Sequence, residues 1–176
     1  MEELTESRRA KLVAIVVEAM GHADLPAPGA TESETSFTQR CLAPLLESTI
    51  ANIGFPGLVP LGTRGAAMIS CHALGAHFYP DLGVGYFGAP VFAVEVKFLR
   101  GSQRQNSIAT AIGQGVVYSK RFDNAAVLLI DTQGTLNDAE VHAGVELLGA
   151  FRLPLVVRRA TRSGALLPHP SQQIDP

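Results

Sequence analysis

Residues 79–99 read YPDLGVGYFGAPVFAVEVKFL, and the fold turns on the apolar run that ends them. Burying a charge without a partner costs on the order of several kcal/mol, so Glu95 and Lys97 beside Val94, Val96 and Phe98 demand a physical reason. In a strand, successive side chains alternate faces. Glu95 and Lys97 then share one face with Val91 and Ala93, while Phe92, Val94, Val96 and Phe98 point the other way. Two explanations follow: the solvated face of an edge strand, or an active site at the strand's open end.

Working outward, Gly83, Gly85 and Gly88 separate the stretch around FYPDLGV from PVFAVEVKFL by a short distance, which predicts a hairpin with antiparallel strands. These glycines spell GxGxxG, but a dinucleotide loop must open a helix. Here Pro90 and a β-run follow, so the glycines are turn residues. Upstream, AAMISCHAL at 66–74 reads as the first of three strands. Downstream, 104–121 fits a helix, and AAVLLIDT reads as a central strand buried on both sides and parallel to its partner through that helix. Asn137 to Leu148 predicts another helix and LPLVVRR a final strand.

At the other end, residues 3–21 place Leu4, Leu12, Ile15, Val16 and Ala19 at helical intervals, with Gly21 as a stop. ADLPAPGATES reads as a linker and Ser33 to Ser36 as N-cap positions. A helix over about 36–53 follows, with Phe37, Cys41, Leu42, Leu45, Leu46 and Ile50 inward, a kink at Pro44 and an end at Gly54. FPGLVPLGTRG is rich in turn residues. The expected architecture is α/β, with a mixed central sheet flanked by helices. Residues 1–30 form an N-terminal helix and linker, 31–160 the main domain, and 161–176, with Pro168, Pro170 and Pro176, a loose tail.

The chain has 176 residues, 47% hydrophobic and 17% charged, enough apolar content for one compact domain with a substantial core. It has no apolar run long enough for a membrane span, and its acidic opening does not resemble a signal peptide. Cys41 and Cys71 are too few for a disulfide scaffold, which predicts reduced thiols in a cytoplasmic protein. Net charge is -2, yet it is uneven. Residues 1–90 hold 5 Lys and Arg against 9 Asp and Glu, whereas 91–176 hold 9 against 7. Arg100, Arg104, Lys120, Arg121, Arg152, Arg158, Arg159 and Arg162 make the second half a local anion-attracting surface.

Cys71, His72 and His77 cluster without a second ligand pair, which argues against a zinc site, although His77 is near Asp81 in sequence. Ser70 near His72 lacks a third group for a triad. The hairpin, by contrast, can fold Asp81 back beside Glu95. Two adjacent carboxylates repel, and a divalent cation is the usual reason to tolerate them, with oxygen ligands favouring Mg²⁺ or Mn²⁺. Lys97, two residues along the same face, would position water and offset anionic charge. That set suits phosphodiester hydrolysis.

Pro80–Asp81 followed by Glu95, Val96 and Lys97 after a hairpin resembles the PD-(D/E)xK signature of the restriction-endonuclease-like nuclease superfamily. Gln114 and Tyr118 add a QxxxY pattern found in several of its branches. They lie on one helix face with Ser107, Thr110 and Arg121, opposite a packing side of Ile108, Ala111, Ile112 and Val116. The resemblance covers about residues 35–131. It implies a core of helix, three antiparallel strands, helix and strand, and a metal-dependent DNA endonuclease in which metal-bound water attacks and leaves 5′-phosphate and 3′-hydroxyl ends. On it, Asp81, Glu95 and the Val96 carbonyl hold the ion, joined by an acid of the first core helix, Glu47 before Glu34. Lys97 orients or activates water, Gln114 steadies the site, and Tyr118 contacts backbone or braces Lys97. Arg100, Arg104, Lys120 and Arg121 guide DNA phosphates. The N-terminal helix exceeds the minimal core and is expected to support a homodimer, since two sites ease cutting of both strands. The alternative is a nuclease-like fold kept as a nucleic-acid-binding or assembly subunit without turnover.

Overall fold

The structure, a computed structural model, describes residues 4–172. In chain order the elements are helix α1 (Glu6–His22), strand β1 (Leu25–Pro26), helix α2 (Glu34–Phe37), a π-helical turn (Thr38–Leu42) and helix α3 (Ala43–Ile53). Strands β2 (Leu58–Leu61), β3 (Cys71–Ala73), β4 (Ala76–Phe78), β5 (Leu82–Tyr86) and β6 (Ala89–Leu99) come next. Helix α4 (Arg104–Tyr118), strand β7 (Asn124–Asp131), helix α5 (Asp138–Ala150) and strands β8 (Leu155–Ala160) and β9 (Ala165–Pro168) complete the fold.

Seven strands form one mixed sheet in the order β1-β9-β8-β7-β6-β5-β2, and β3 with β4 forms a separate hairpin. Strands β2, β5 and β6 run antiparallel in sequence, and β6, β7 and β8 are mutually parallel, as crossovers through α4 and α5 require. The uninterrupted apolar run of β7 follows from burial on both faces. Leu12, Val16 and Met20 of α1 and Leu42 and Leu46 near α3 pack on one face with Val94, Val96, Leu128 and Ile130. Ala111, Tyr118, Val141 and Leu148 of α4 and α5 cover the other with Ala93, Val127, Leu129 and Val157. The result is a helix, sheet, helix sandwich.

Several expectations change. Residues 66–74 supply only β3, outside the main sheet, and the sheet's outer strand beside β5 is instead β2, inside the segment read as turns. Pro60 is tolerated there because β2 is an edge, as Pro26 is in β1 at the opposite edge. Pro44 does not kink a continuous helix. It sits at the start of α3, after the π-helical turn. Gly83 and Gly85 lie within β5 rather than in a turn; a Cβ on Gly83 would come within 2.8 Å of the Phe92 carbonyl oxygen.

The segment expected as a loose tail is tied down as far as it is described. Strand β9 pairs antiparallel with β8 and with β1, and His169 is wholly buried. Residues 173–176 of that expected tail, and Glu3 of the first helix, lie outside the described residues. The boundary expected at residue 30 divides no core, because the apolar stripe of α1 is buried against the sheet rather than offered to a second copy.

Candidate active site

Strand β6 outruns its neighbour, and the site is built on that mismatch. The last pair between β5 and β6 is Leu82 with Val94, whereas β6 continues to Leu99 alongside β7. Beyond Val94 the edge facing β5 presents backbone donors with no strand to receive them. Carboxylates take their place: Val96 N–H donates to Asp81 Oδ2 at 2.7 Å, and Phe98 N–H donates to Glu34 Oε1 at 2.8 Å. Asp81 is anchored in turn by its own N–H, which donates to the Val94 carbonyl at 3.1 Å. A strand residue's N–H and C=O point to the same side, so the Val96 carbonyl also lies on this edge.

Glu95 and Lys97 stand on the face covered by α4, so β6 is a central strand and the solvated-edge explanation fails. Val91 does not share that face as alternation predicts. Val84 pairs with Phe92 and Gly85 with Pro90, which leaves Val91 as the extra residue of a bulge, turned into the opposite core. Glu95 is 1% exposed. Its Oε1 lies 2.8 Å from Lys97 Nζ, and its Oε2 accepts from the Tyr118 hydroxyl at 2.8 Å. Lys97 Nζ also lies 3.1 Å from Glu34 Oε2. One ammonium therefore joins carboxylates from α2 and β6, and an aspartate is fixed to the backbone between them.

Burial, then the nearby charge of Asp81, pushes the Glu95 carboxyl up to about 7 despite Lys97 and Tyr118. Asp81 is raised too, by burial first, against the pull of the Val96 N–H and Lys97. Burial works to lower Lys97, but the hydrogen bond and charge of Glu95, with Glu34, outweigh it and hold the ammonium above its ordinary range. Tyr118 is raised by burial and by Glu95, so its phenol remains a donor.

The folded chain holds the Glu95 proton more tightly than an unfolded chain does. Its stabilising contribution is therefore full below the ordinary value of 4.5 and fades as pH rises through about 7. Urea midpoints of the ion-free chain are expected to fall between about pH 5 and about pH 8, with Asp81 acting in the same direction. Glu95→Gln should flatten that part of the profile; a variant profile parallel to wild type would contradict the assignment.

The first-helix acid at the site is Glu34, not Glu47. Glu47 is exposed and lines a different cleft with Ser36, Gln39, Arg40 and Arg64. Glu34→Ala should lower any turnover that depends on Lys97, because it frees the ammonium and orphans the Phe98 N–H. Glu47→Ala should stay within about twofold of wild type, as an exposed substitution away from the site does. Rates of the turnover that the resemblance implies, measured in the two variants with each checked by thermal melting, decide between them; equal losses would refute the choice of Glu34.

On α4, Tyr118 is buried rather than presented to substrate, and Val116, expected to pack, is exposed. Besides Glu95, the Tyr118 hydroxyl lies 3.0 Å from the Tyr79 carbonyl, which makes it a brace between Glu95 and the segment leading to Asp81. Gln114 Nε2 reaches that hydroxyl at only 3.4 Å, and its buried Oε1 has no hydrogen-bond partner. Of the cations expected to meet phosphate, two are engaged internally. Arg100 donates to the Gly29 and Glu32 carbonyls and lies over the Phe98 ring, and Arg104 pairs with Glu140 and donates to the Thr135 carbonyl. Lys120 and Arg121 are exposed beside His72. Arg158 is buried and takes no part in a surface.

Among the described residues no group of three or more His, Cys, Asp or Glu side chains is arranged to hold a metal ion, and no helix is long and apolar enough to cross a membrane. No protein-family model, curated protein or solved structure matches the chain.

Proposed function

We propose that the protein is a divalent-metal-dependent nuclease of the PD-(D/E)xK type that hydrolyses DNA phosphodiester bonds. The observation that supports it most is the convergence of Asp81, Glu95 and Lys97 at the place where β6 outruns β5. The succession of an N-terminal helical segment, antiparallel β2, β5 and β6, helix α4 and parallel β7 matches the order expected of a restriction-endonuclease-like core.

The donor chemistry fits a hard dication. Asp81, Glu95 and the Val96 carbonyl would hold it, all oxygen donors; burial first, and for Glu95 the charge of Asp81 next, raises both carboxyls, and a bound cation would favour their ionised forms. The chemistry that Mg²⁺ or Mn²⁺ supplies in such a set is polarisation of a phosphoryl oxygen and a more acidic attacking water. The chain's own residues do the rest. Lys97 sets its ammonium where charge develops on the phosphate, Glu34 and Glu95 fix its direction, and Tyr118 holds Glu95 against the Tyr79 carbonyl. In this reading the protein acts as a cytoplasmic homodimer, one site for each strand; sedimentation showing only monomer at working concentration would remove the dimer.

One observation favours a second reading, a nuclease-like fold that binds nucleic acid without turnover: both Glu95 oxygens are already engaged by Lys97 and Tyr118. Incubation of supercoiled plasmid, single-stranded and branched DNA with Mn²⁺, Mg²⁺ or EDTA separates the two. Ion-dependent cleavage leaving 5′-phosphates supports the nuclease; intact DNA in every ion, with retained binding, supports the second reading.

A further inference from the structure

We propose that the β3–β4 hairpin and Tyr79 form a stacking platform for unpaired bases of a DNA strand entering the site, and that Lys120 and Arg121 take that strand's phosphates. This rests on the nucleic-acid reading of the neighbouring site and names the substrate class it favours, DNA with unpaired bases.

Alternation across the hairpin sorts its side chains. Cys71 and Phe78, paired across the strands, turn toward the core beneath α4, while His72 and His77, the next pair, turn outward. The two imidazole rings lie 3.7 Å apart between centroids, tilted by 58°. The Tyr79 ring continues the row, 6.4 Å from His77 and within 15° of parallel to it. All three residues are exposed, Tyr79 at 57%. Three aromatic rings in a row on the outer face of a hairpin do nothing for the core, yet each offers a π-face, to which every base is suited regardless of sequence.

Position ties the row to the chemistry. Tyr79 is two residues before Asp81, and its carbonyl lies within hydrogen-bonding distance of the Tyr118 hydroxyl that also contacts Glu95. At the other end His72 shares a cleft of about 400 Å³ with Ser70, Lys120 and Arg121. Neither cation forms an ion pair among the described residues, in contrast to Arg104, which Glu140 neutralises. Bases on the rings and phosphates on Lys120 and Arg121 give one strand a path that ends at the carboxylates. A paired duplex keeps its base faces inside the helix and cannot use the platform.

The test is binding of the full chain to a single-stranded oligonucleotide containing 2-aminopurine, and to the matching blunt duplex, in EDTA so that turnover plays no part. Wild type should bind the single strand more tightly and change the 2-aminopurine emission. Tyr79→Ala should weaken single-strand binding about tenfold and abolish the emission change, Tyr79→Trp should restore both, and duplex affinity should not move. The Lys120→Ala, Arg121→Ala double variant should lower the logarithmic salt slope for single strand by about 1.4. Thermal melts of the variants should match wild type, since these substitutions are exposed. Equal affinity of wild type for single strand and duplex, or an unchanged emission response in Tyr79→Ala, overturns the platform. Single-strand preference without ion-dependent cleavage would instead overturn the nuclease reading alone.

Discussion

On the proposed nuclease reading, Lys97→Ala is expected to reduce DNA cleavage at least about 100-fold while leaving the chain folded and most of any DNA affinity intact. Among the described residues Lys97 is the one cation joining Glu95 and Glu34, and its side chain is 17% exposed. Removing it would normally leave uncompensated buried charge. Here the fold has an outlet, because the Glu95 carboxyl, already raised to about 7, responds to the loss by holding its proton more tightly. Proton uptake by Glu95 reduces the cost to stability near neutral pH, and in the proposed mechanism the reacting phosphate no longer meets a positive group as its charge grows. Single-turnover rates at saturating Mn²⁺, paired with affinities in EDTA, check this. Wild-type turnover in the variant would remove Lys97 from the mechanism.

Arg158→Met is expected to destabilise the fold by about 3–5 kcal/mol without touching the site. The guanidinium donates to the Met20, Gly21 and Ala23 carbonyls at the end of α1 and to the Leu166 carbonyl of β9, so one side chain holds the first helix, β8 and the final strand together. A cation at a helix C-terminus also complements the helix dipole. Methionine keeps the apolar stem but leaves four carbonyls, two buried and two part-buried, without this donor. For a chain of this size the melting temperature should fall on the order of 10 °C. Urea unfolding measures the effect directly; a loss below about 1 kcal/mol would mean that the carbonyls find other donors.

Arg158 also shows where sequence reasoning stops. It counts as one of the positive charges of the second half, and nothing local distinguishes it from the exposed Arg159 beside it. Only the packing of α1 against β8 makes it a buried anchor. The same division runs through the fold. Strands β6 and β7 and helix α4 are legible because their periodicity and apolar runs are long enough to be decided locally. Strands β1, β2 and β9 are two to four residues long and contain prolines, and they exist because a neighbouring strand pairs with them.

At the candidate site, Asp81, Glu95 and Lys97 are legible from spacing because they lie on β6 or its hairpin, whereas Tyr118 enters only through the resemblance and its QxxxY pattern on the next helix. Nothing local separates Glu34 from Glu47 as the first-helix acid. The π-helical turn at Thr38–Leu42 resets the phase between α2 and α3, so a 3.6-residue count does not say which acid faces β6. Arg100 and Arg104 mislead because their partners, Gly29, Glu32, Thr135 and Glu140, come from distant segments.

The most direct test is a Mn²⁺ titration of wild type and Asp81→Asn, followed by isothermal calorimetry together with plasmid cleavage. The account predicts that wild type takes up an ion with cleavage rising alongside occupancy, and that the asparagine variant loses both while still melting as a folded protein. No ion uptake by wild type, or uptake and cleavage unchanged in Asp81→Asn, would contradict it.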